Sequence, residues 1–284
     1  MRIGSVTIEG FSLGGIETAV QVPELRLAID VGRGRSTLLR CDHIALTHAH
    51  LDHIGGLPYL LALRQLLRKP APRVYVPAQV APQLRAMLDA WQPLQRYPMA
   101  CDIVPVETGG RYPLGRDHAL VPFRTYHPVP SFGYTIVRTV RKLKPELAGL
   151  PGPRIAELRR AGHEVGVNVE RAILSVTGDT LAQVLDKQPQ ILGSEVLLLE
   201  CTFLDDRKPM KLVYAGGHIH LSDLMARAAA FANGTLVLSH FSQIYKPREI
   251  GQLLAPLAAA IAPNLRALPV TPGGAEPQIP AGGQ

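Results

Sequence analysis

The chain has 284 residues, 46% of them hydrophobic, and 30 Lys and Arg against 23 Asp and Glu give a formal net charge of +7. That length can bury a sizeable core, and the basic balance suits an anionic partner such as nucleic acid without proving one. Cys41, Cys101 and Cys201 form no Cys-x-x-Cys pair, which excludes a disulfide framework and a cysteine zinc knuckle and fits a reducing cytoplasm.

The start, Met1-Arg2-Ile3-Gly4-Ser5-Val6, lacks a signal-type apolar core. No stretch of roughly 18 unbroken apolar residues is present, so no membrane span is expected. Residues 6–8, 18–22 and 25–30 read as short strands separated by the Gly14-Gly15 turn and the Val22-Pro23 break. Asp30 ends the third of them and, by composition alone, opens a turn before Gly32.

An apolar run at 43–46 predicts a buried strand, and the apolar residues of 57–67 recur at helical spacing. Between them lies Thr47-His48-Ala49-His50-Leu51-Asp52-His53-Ile54-Gly55-Gly56. Three imidazoles and a carboxylate within six residues are neutral nitrogen and anionic oxygen donors suited to divalent metal. The spacing lets His48 and His50 converge on one ion while Asp52 and His53, one turn further on, face a second. No ordinary polar turn calls for this cluster, and a structural zinc site leans on cysteine.

His-x-His-x-Asp-His followed by Gly-Gly-Leu-Pro resembles the signature of the metallo-β-lactamase superfamily. The resemblance implies an α/β fold, a four-layer αββα sandwich with two metals at one sheet edge, and since no linker-like stretch divides the chain before the C-terminus it reads as one domain. It also implies that Asp30 stands behind the metal loop, orienting a histidine ligand without touching metal.

Strands are expected at 73–76, 103–106 and 120–126 with a helix over 80–91, an alternation typical of layered α/β organisation. The last strand delivers His127, in His127-Pro128-Val129-Pro130-Ser131-Phe132-Gly133-Tyr134. A histidine followed closely by aromatic-Gly-Tyr resembles the third metal motif of ribonuclease Z, which implies that His127 completes the first metal's set with His48 and His50. Residues 138–162 are rich in base, proline and glycine and read by composition as a solvated surface loop. Their position resembles the basic exosite arm with a Gly-Pro motif by which ribonuclease Z grips tRNA. That implies salt-sensitive RNA contacts from Arg141, Lys142, Lys144, Gly152 and Pro153, with Arg159 and Arg160 extending the surface.

A strand at 172–176 ends in Thr177-Gly178-Asp179-Thr180, where a helix is expected to start. Asp179 is then an N-cap or, on the stronger reading, a bridging ligand whose two oxygens hold cations ~3.5–4 Å apart. Another strand, 196–200, ends in Glu200-Cys201-Thr202-Phe203, which resembles the Glu-x-Thr-Phe pattern of ribonuclease Z. Gly217-His218-Ile219-His220 opens a helix expected to reach about 232, and a strand at 235–238 delivers His240. The resemblance implies that His240 joins Asp52, His53 and Asp179 on the second ion. It implies further that His218, not His220, is the non-ligand catalytic histidine, oriented by Glu200. His220 is then a helix-start residue, and His43, His118 and His163 have no assigned chemistry. A helix is expected over 247–261, closing a domain of residues 1–261, and the Pro-, Gly- and Ala-rich stretch 262–284 reads as a disordered tail.

The likeness to ribonuclease Z covers about residues 5–245. It implies a zinc-dependent endoribonuclease that removes the 3′ trailer of precursor tRNA as a homodimer, with two zinc ions or manganese in their place. Asp52 would hold the attacking hydroxide and His218 would protonate the leaving oxygen, giving a 3′-hydroxyl and a 5′-phosphate. One departure stands out: Ile244 occupies the arginine position of the family's Ser-x-Arg-Tyr, so a guanidinium is missing unless Lys246 substitutes. The rival readings are a phosphodiesterase acting on small or cyclic nucleotide diesters, which needs no arm, and an idle RNA-binding protein, which calls for a broken ligand set. A lactonase or β-lactamase would leave Glu200 and His218 without a purpose.

Overall fold

The computed structural model describes residues 1–261 and 264–280. Its strands alternate in what they bury, as a two-residue period requires. In the first sheet Val20, Ile29, Ala45 and Tyr75 face one core while Ala19, Ala28, Ile44 and Val74 face another. In the second sheet Val196, Leu198 and Val237 meet that first core, and Leu197, Leu199, Leu236 and Leu238 point away into a third. Sheets buried on both faces must be covered on both faces, and the outcome is four layers.

The first sheet runs in the order Phe241–Ser242, Glu9–Gly14, Glu17–Val22, Leu27–Ile29, His43–Ala45, Arg73–Pro77 and Asp102–Val106. Helices Leu57–Leu66 and Ala81–Gln95 cover its outer face through Leu57, Leu60, Leu61, Leu84 and Leu88. The second runs Asn264–Ala267, Thr235–Ser239, Val196–Glu200, Gly166–Val176, Phe132–Leu143, His118–Arg124 and Tyr112–Pro113. It is covered by Gln183–Lys187, Leu221–Met225 and Pro247–Ala260 through Val184, Leu185, Leu224, Ile250, Leu254 and Leu257. This is the αββα sandwich that the metal-loop motif implied.

Four elements depart from the sequence reading. Glu9–Gly14 is a strand that the glycines near its start and at its end concealed. The helix after His220 stops at Met225 and continues only as a 3₁₀ turn, Ala228–Ala230, although its alanines favour helix. Tertiary contacts override that preference: Arg227 is held by Asp186 at 2.8 Å and Ala228 packs against the core. No helix starts at Asp179; the next begins at Gln183, and Asp179 caps nothing.

The fourth departure is at the C-terminus. Asn264–Ala267 adds to the second sheet beside Thr235–Ser239, Leu268 N–H donates to the Leu238 carbonyl (2.8 Å), and Arg266 pairs with Glu276 (2.6 Å). Leu268 and Val270 are buried, so apolar burial here outweighs a composition that suggested a disordered tail. Residues 262, 263 and 281–284 of that expected tail lie outside the described residues.

The arm is a built element. Strands Phe132–Leu143 and Gly166–Val176 run on together as an antiparallel ribbon as far as the Leu143/Gly166 pair, and an exposed helix, Gly152–Arg160, caps it. Gly152 and Pro153 form the first turn of that helix, where proline's missing N–H costs nothing.

Candidate active site

The metal loop is positioned by a strand it leaves and a strand it touches. Tyr134 Oη donates to the Leu46 carbonyl (2.7 Å) just ahead of Thr47, and its strand can lie this close because Gly133 faces the Phe123 ring, which any β-carbon would strike at 2.2 Å. The aromatic-Gly-Tyr motif is thus a packing device for the loop. On the other side Gly178, at φ +61°, lets the turn before Asp179 lie against Thr47, 2.7 Å from where a β-carbon would sit.

Asp30 is buried at a left-handed φ of 57° and organises the loop from behind. Its Oδ1 accepts the Thr47 N–H (2.8 Å), and its Oδ2 accepts the Thr47 hydroxyl and His53 Nδ1–H, both at 2.7 Å. Thr47 Oγ1, having donated, accepts from His48 Nδ1 at 3.0 Å. One carboxylate therefore sets the tautomer of two histidines, directly for His53 and through a hydroxyl for His48, and turns both Nε2 lone pairs inward.

A second relay does the same from the opposite wall. Thr202 Oγ1 donates to Glu200 Oε2 (2.5 Å) and accepts from His240 Nδ1 (2.9 Å). His127 Nδ1 donates to the Gly217 carbonyl (3.1 Å). The inward nitrogens then crowd together: His48 Nε2 is 3.1 Å and His127 Nε2 3.2 Å from His50 Nδ1, and His53 Nε2 is 3.4 Å from His240 Nε2.

Asp179 lies between the two groups. Its Oδ2 is 3.3 Å from His240 Nε2 and 3.7 Å from His48 Nε2, and its Oδ1 is 3.5 Å from His53 Nε2. That buried Oδ1 accepts no hydrogen bond. Asp52, its Oδ2 held by the Gly15 N–H at 3.0 Å, faces His53 and His240. Ring nitrogens that converge on one another, beside a buried carboxylate oxygen with no hydrogen-bond partner, fit divalent cations.

Among the described residues, donors within 4.8 Å of one another fall into three sets: His48, His50, His127 and Asp179; Asp52, His53 and His240; and Asp179, His218 and His240. All seven sequence-expected ligands are in the first two. His218, in the third, has a competing partner, since its Nδ1 donates to Glu200 Oε1 at 3.1 Å.

The charges respond to this packing. Burial opposes ionisation of Asp179 and Asp52, yet the facing imidazoles hold both carboxyls well below the usual range. Burial lowers His48 and His127, keeping them neutral, while burial of His53 is overcome by Asp179 and Asp30, which raise it. Burial likewise opposes the His218 cation, but the Glu200 carboxylate outweighs it and lifts the imidazole to about 9.

His220 caps helix Leu221–Met225, its Nδ1 accepting the Ser222 N–H, which agrees with the helix-start reading. Near Ile244 the guanidinium present belongs to Arg207, 3.4 Å from the Ile244 carbonyl but paired with Asp205 and Glu249, while Lys246 caps helix Pro247–Ala260. Arg141 is exposed and pairs with Glu164 at 3.2 Å. Sequence reasoning missed Thr47 and Thr202; the only signal was a hydroxyl beside the His-x-His motif and another two residues after Glu200.

Two seven-stranded sheets with paired His/Asp clusters at their edge define a metallo-β-lactamase-fold hydrolase, and the model of the beta-lactamase superfamily domain matches residues 17–241. "tRNase Z TRZ2, chloroplastic" of Arabidopsis thaliana is 33% identical over 275 residues, 96% of this chain and 77% of that one. "tRNase Z TRZ1" of the same plant is 34% identical over 259 residues, 90% of this chain and 92% of that one. The crystal structure of human tRNase Z, short form, covers 84% of this chain and 93% of its own, with a TM-score of 0.56 and 22% identity, a likeness of fold. The chain belongs to the ribonuclease Z family of the β-lactamase superfamily and is a metal-dependent phosphodiester hydrolase.

Proposed function

We propose that this chain is a zinc-dependent endoribonuclease that removes the 3′ trailer of precursor tRNA. The observation that carries the reading is the 3.1 Å contact between His218 Nδ1 and Glu200 Oε1 beside the His/Asp cluster, an acid pair that a purely metal-binding site does not need. The exposed basic ribbon and the names of the relatives support the substrate.

His48, His50 and His127 would hold one zinc, Asp52, His53 and His240 the other, with Asp179 shared; these nitrogen and oxygen donors accept manganese as well. When bound, the pair of cations would acidify water toward neutral pH and offset charge developing on the phosphate. Asp52 accepts a proton from the attacking water. As the water oxygen joins phosphorus, the bond from phosphorus to the 3′-oxygen breaks, and His218 Nε2 gives that oxygen its proton. The products are a 3′-hydroxyl on the tRNA and a 5′-phosphate on the trailer. Glu200 keeps His218 charged before the transfer, and Thr202 keeps Glu200 in line with it.

Arg141, Lys142 and Lys144 on the ribbon, with Gly152 and Pro153 opening the helix above them, contact RNA phosphates away from the cut. A second copy of this chain covers the apolar groove between helices Leu57–Leu66 and Ala81–Gln95, a cavity of about 840 Å³ where Leu51, Tyr59, Leu66, Trp91 and Tyr97 are exposed. Among the described residues no helix is long and apolar enough to cross a membrane, and the three cysteines are free thiols, which suits the cytoplasm.

The test is cleavage of a precursor tRNA with a 3′ trailer by zinc-loaded protein, with both new ends mapped. A single cut near the discriminator base, leaving a 3′-hydroxyl and a 5′-phosphate, supports the reading. Intact RNA beside rapid hydrolysis of bis-p-nitrophenyl phosphate would move the assignment to a small-diester phosphodiesterase.

A further inference from the structure

On the side of His127 and Gly217 the surface opens into two clefts of about 330 and 700 Å³, and Arg124 and His127 line both. Arg124 ends the strand His118–Arg124 and is exposed, its guanidinium 5.5 Å above the Tyr126 ring. Among the described residues no carboxylate lies within 4.0 Å of it, in contrast to Arg207, which two carboxylates neutralise. A cation held over a ring and left without a counter-ion beside a cleft is a seat for an anion.

The smaller cleft leads from Arg124 along Tyr126 and Gln183 to Tyr214 and Gly217. Its volume falls in the range of small-molecule sites, roughly 300–1,000 Å³. Tyr214 is 43% exposed with its hydroxyl donated to Asp223 (2.9 Å), which fixes the ring as a stacking face. At Gly217, φ +73°, a β-carbon would come within 2.4 Å of Pro128, so the floor is bare backbone, and the next residue is His218.

We propose that this cleft seats the nucleotide that carries the leaving 3′-oxygen, with Arg124 on the phosphate at its 5′ side and Tyr214 stacked on its base. The inference rests on the endoribonuclease reading above. His218 has to stand beside the leaving oxygen to protonate it, so the nucleotide bearing that oxygen lies on the His218 side, and this cleft is what borders that side. A free guanidinium with aromatic faces binds an unpaired nucleotide whatever its base.

The experiment measures cleavage of precursor tRNA by wild type, Arg124→Ala, Arg124→Lys and Tyr214→Ala. A second substrate carries a neutral methylphosphonate at the phosphate 5′ of the cleaved nucleotide. Arg124→Ala is expected to raise KM about tenfold or more and to lower the salt dependence of log KM by about 0.7, with partial rescue by lysine. The methylphosphonate should cost wild type the same factor and cost Arg124→Ala nothing further. An equal methylphosphonate penalty in both proteins, or wild-type KM in Arg124→Ala, would overturn the assignment. A wild type that leaves precursor tRNA intact would overturn the endoribonuclease reading and this inference with it.

Discussion

Thr202 Oγ1 stands 2.9 Å from His240 Nδ1 while donating at 2.5 Å to Glu200. One hydroxyl group, donating to Glu200 and accepting from His240, thus joins the His/Asp cluster to the Glu200–His218 pair. Removing it leaves His240 free to take the wrong tautomer and Glu200 free to turn from His218. Thr202→Val, of nearly the same shape, is expected to weaken metal affinity and to lower kcat each by about 10-fold or more, the usual scale for a residue behind a ligand. Thr202→Ser should restore both. Equal loss in the serine and valine variants would show that the site needs the methyl group and not the hydroxyl.

His218 as an acid gives a definite sign to the pH profile. Its imidazole is charged below about 9 because Glu200 outweighs burial. The acid form is therefore present at neutral pH, and kcat falls as pH rises through the His218 pKa. Glu200→Gln removes the raising charge, burial then prevails, and the alkaline limb moves to lower pH. His218→Ala should keep its metal and RNA affinity while losing ~10²–10⁴-fold in kcat. Elemental analysis decides, since lost metal would make His218 a ligand within its set with Asp179 and His240.

Removal of metal should act on Asp179 most sharply. Without a cation its buried Oδ1, faced by His53, accepts no hydrogen bond, and His48 and His240 crowd its Oδ2. Chelation is expected to lower the Tm of the wild type, and Asp179→Ala or His50→Ala should empty at least one metal position. Asp30→Asn, which no longer receives both Thr47 and His53, should weaken metal affinity about 10- to 100-fold with the ligands intact. A full complement of zinc in Asp179→Ala would refute the shared-ligand role.

How much of this was legible depended on what declares itself by residue type. His48 to His53 named a metal site because imidazoles and a carboxylate at that spacing have no simpler use. The relays through Thr47 and Thr202 were not legible, since a threonine's role lies in where its single proton goes. Strand Asn264–Ala267 was hidden because composition reports the flanking prolines and not the register that seats Leu265 and Ala267 beside Leu236 and Leu238. Arg124 resembled any basic surface residue until the fold put it beside His127.

The apolar groove carries a prediction of assembly. Trp91→Glu with Leu66→Glu places one charge on each of the two helices whose exposed apolar side chains line the cavity. The wild type is expected to run as a dimer by light scattering and the double variant as a monomer, with its Tm in dilute solution little changed. A wild type that is monomeric at micromolar concentration would remove the second copy from that groove.

The ribbon is expected to contribute through charge. Arg141 is already paired with Glu164, so its share of phosphate binding should be smaller than that of Lys142 and Lys144, which have no such partner among the described residues. Lys142→Ala with Lys144→Ala is expected to raise KM for precursor tRNA about 10-fold at moderate salt, to flatten the salt dependence by one to two contacts' worth, and to leave kcat near wild type. Glu164→Ala, freeing Arg141, should lower KM. A loss in kcat without a change in KM would place the ribbon in the chemistry, and an unchanged salt slope would reduce it to a solvated hairpin.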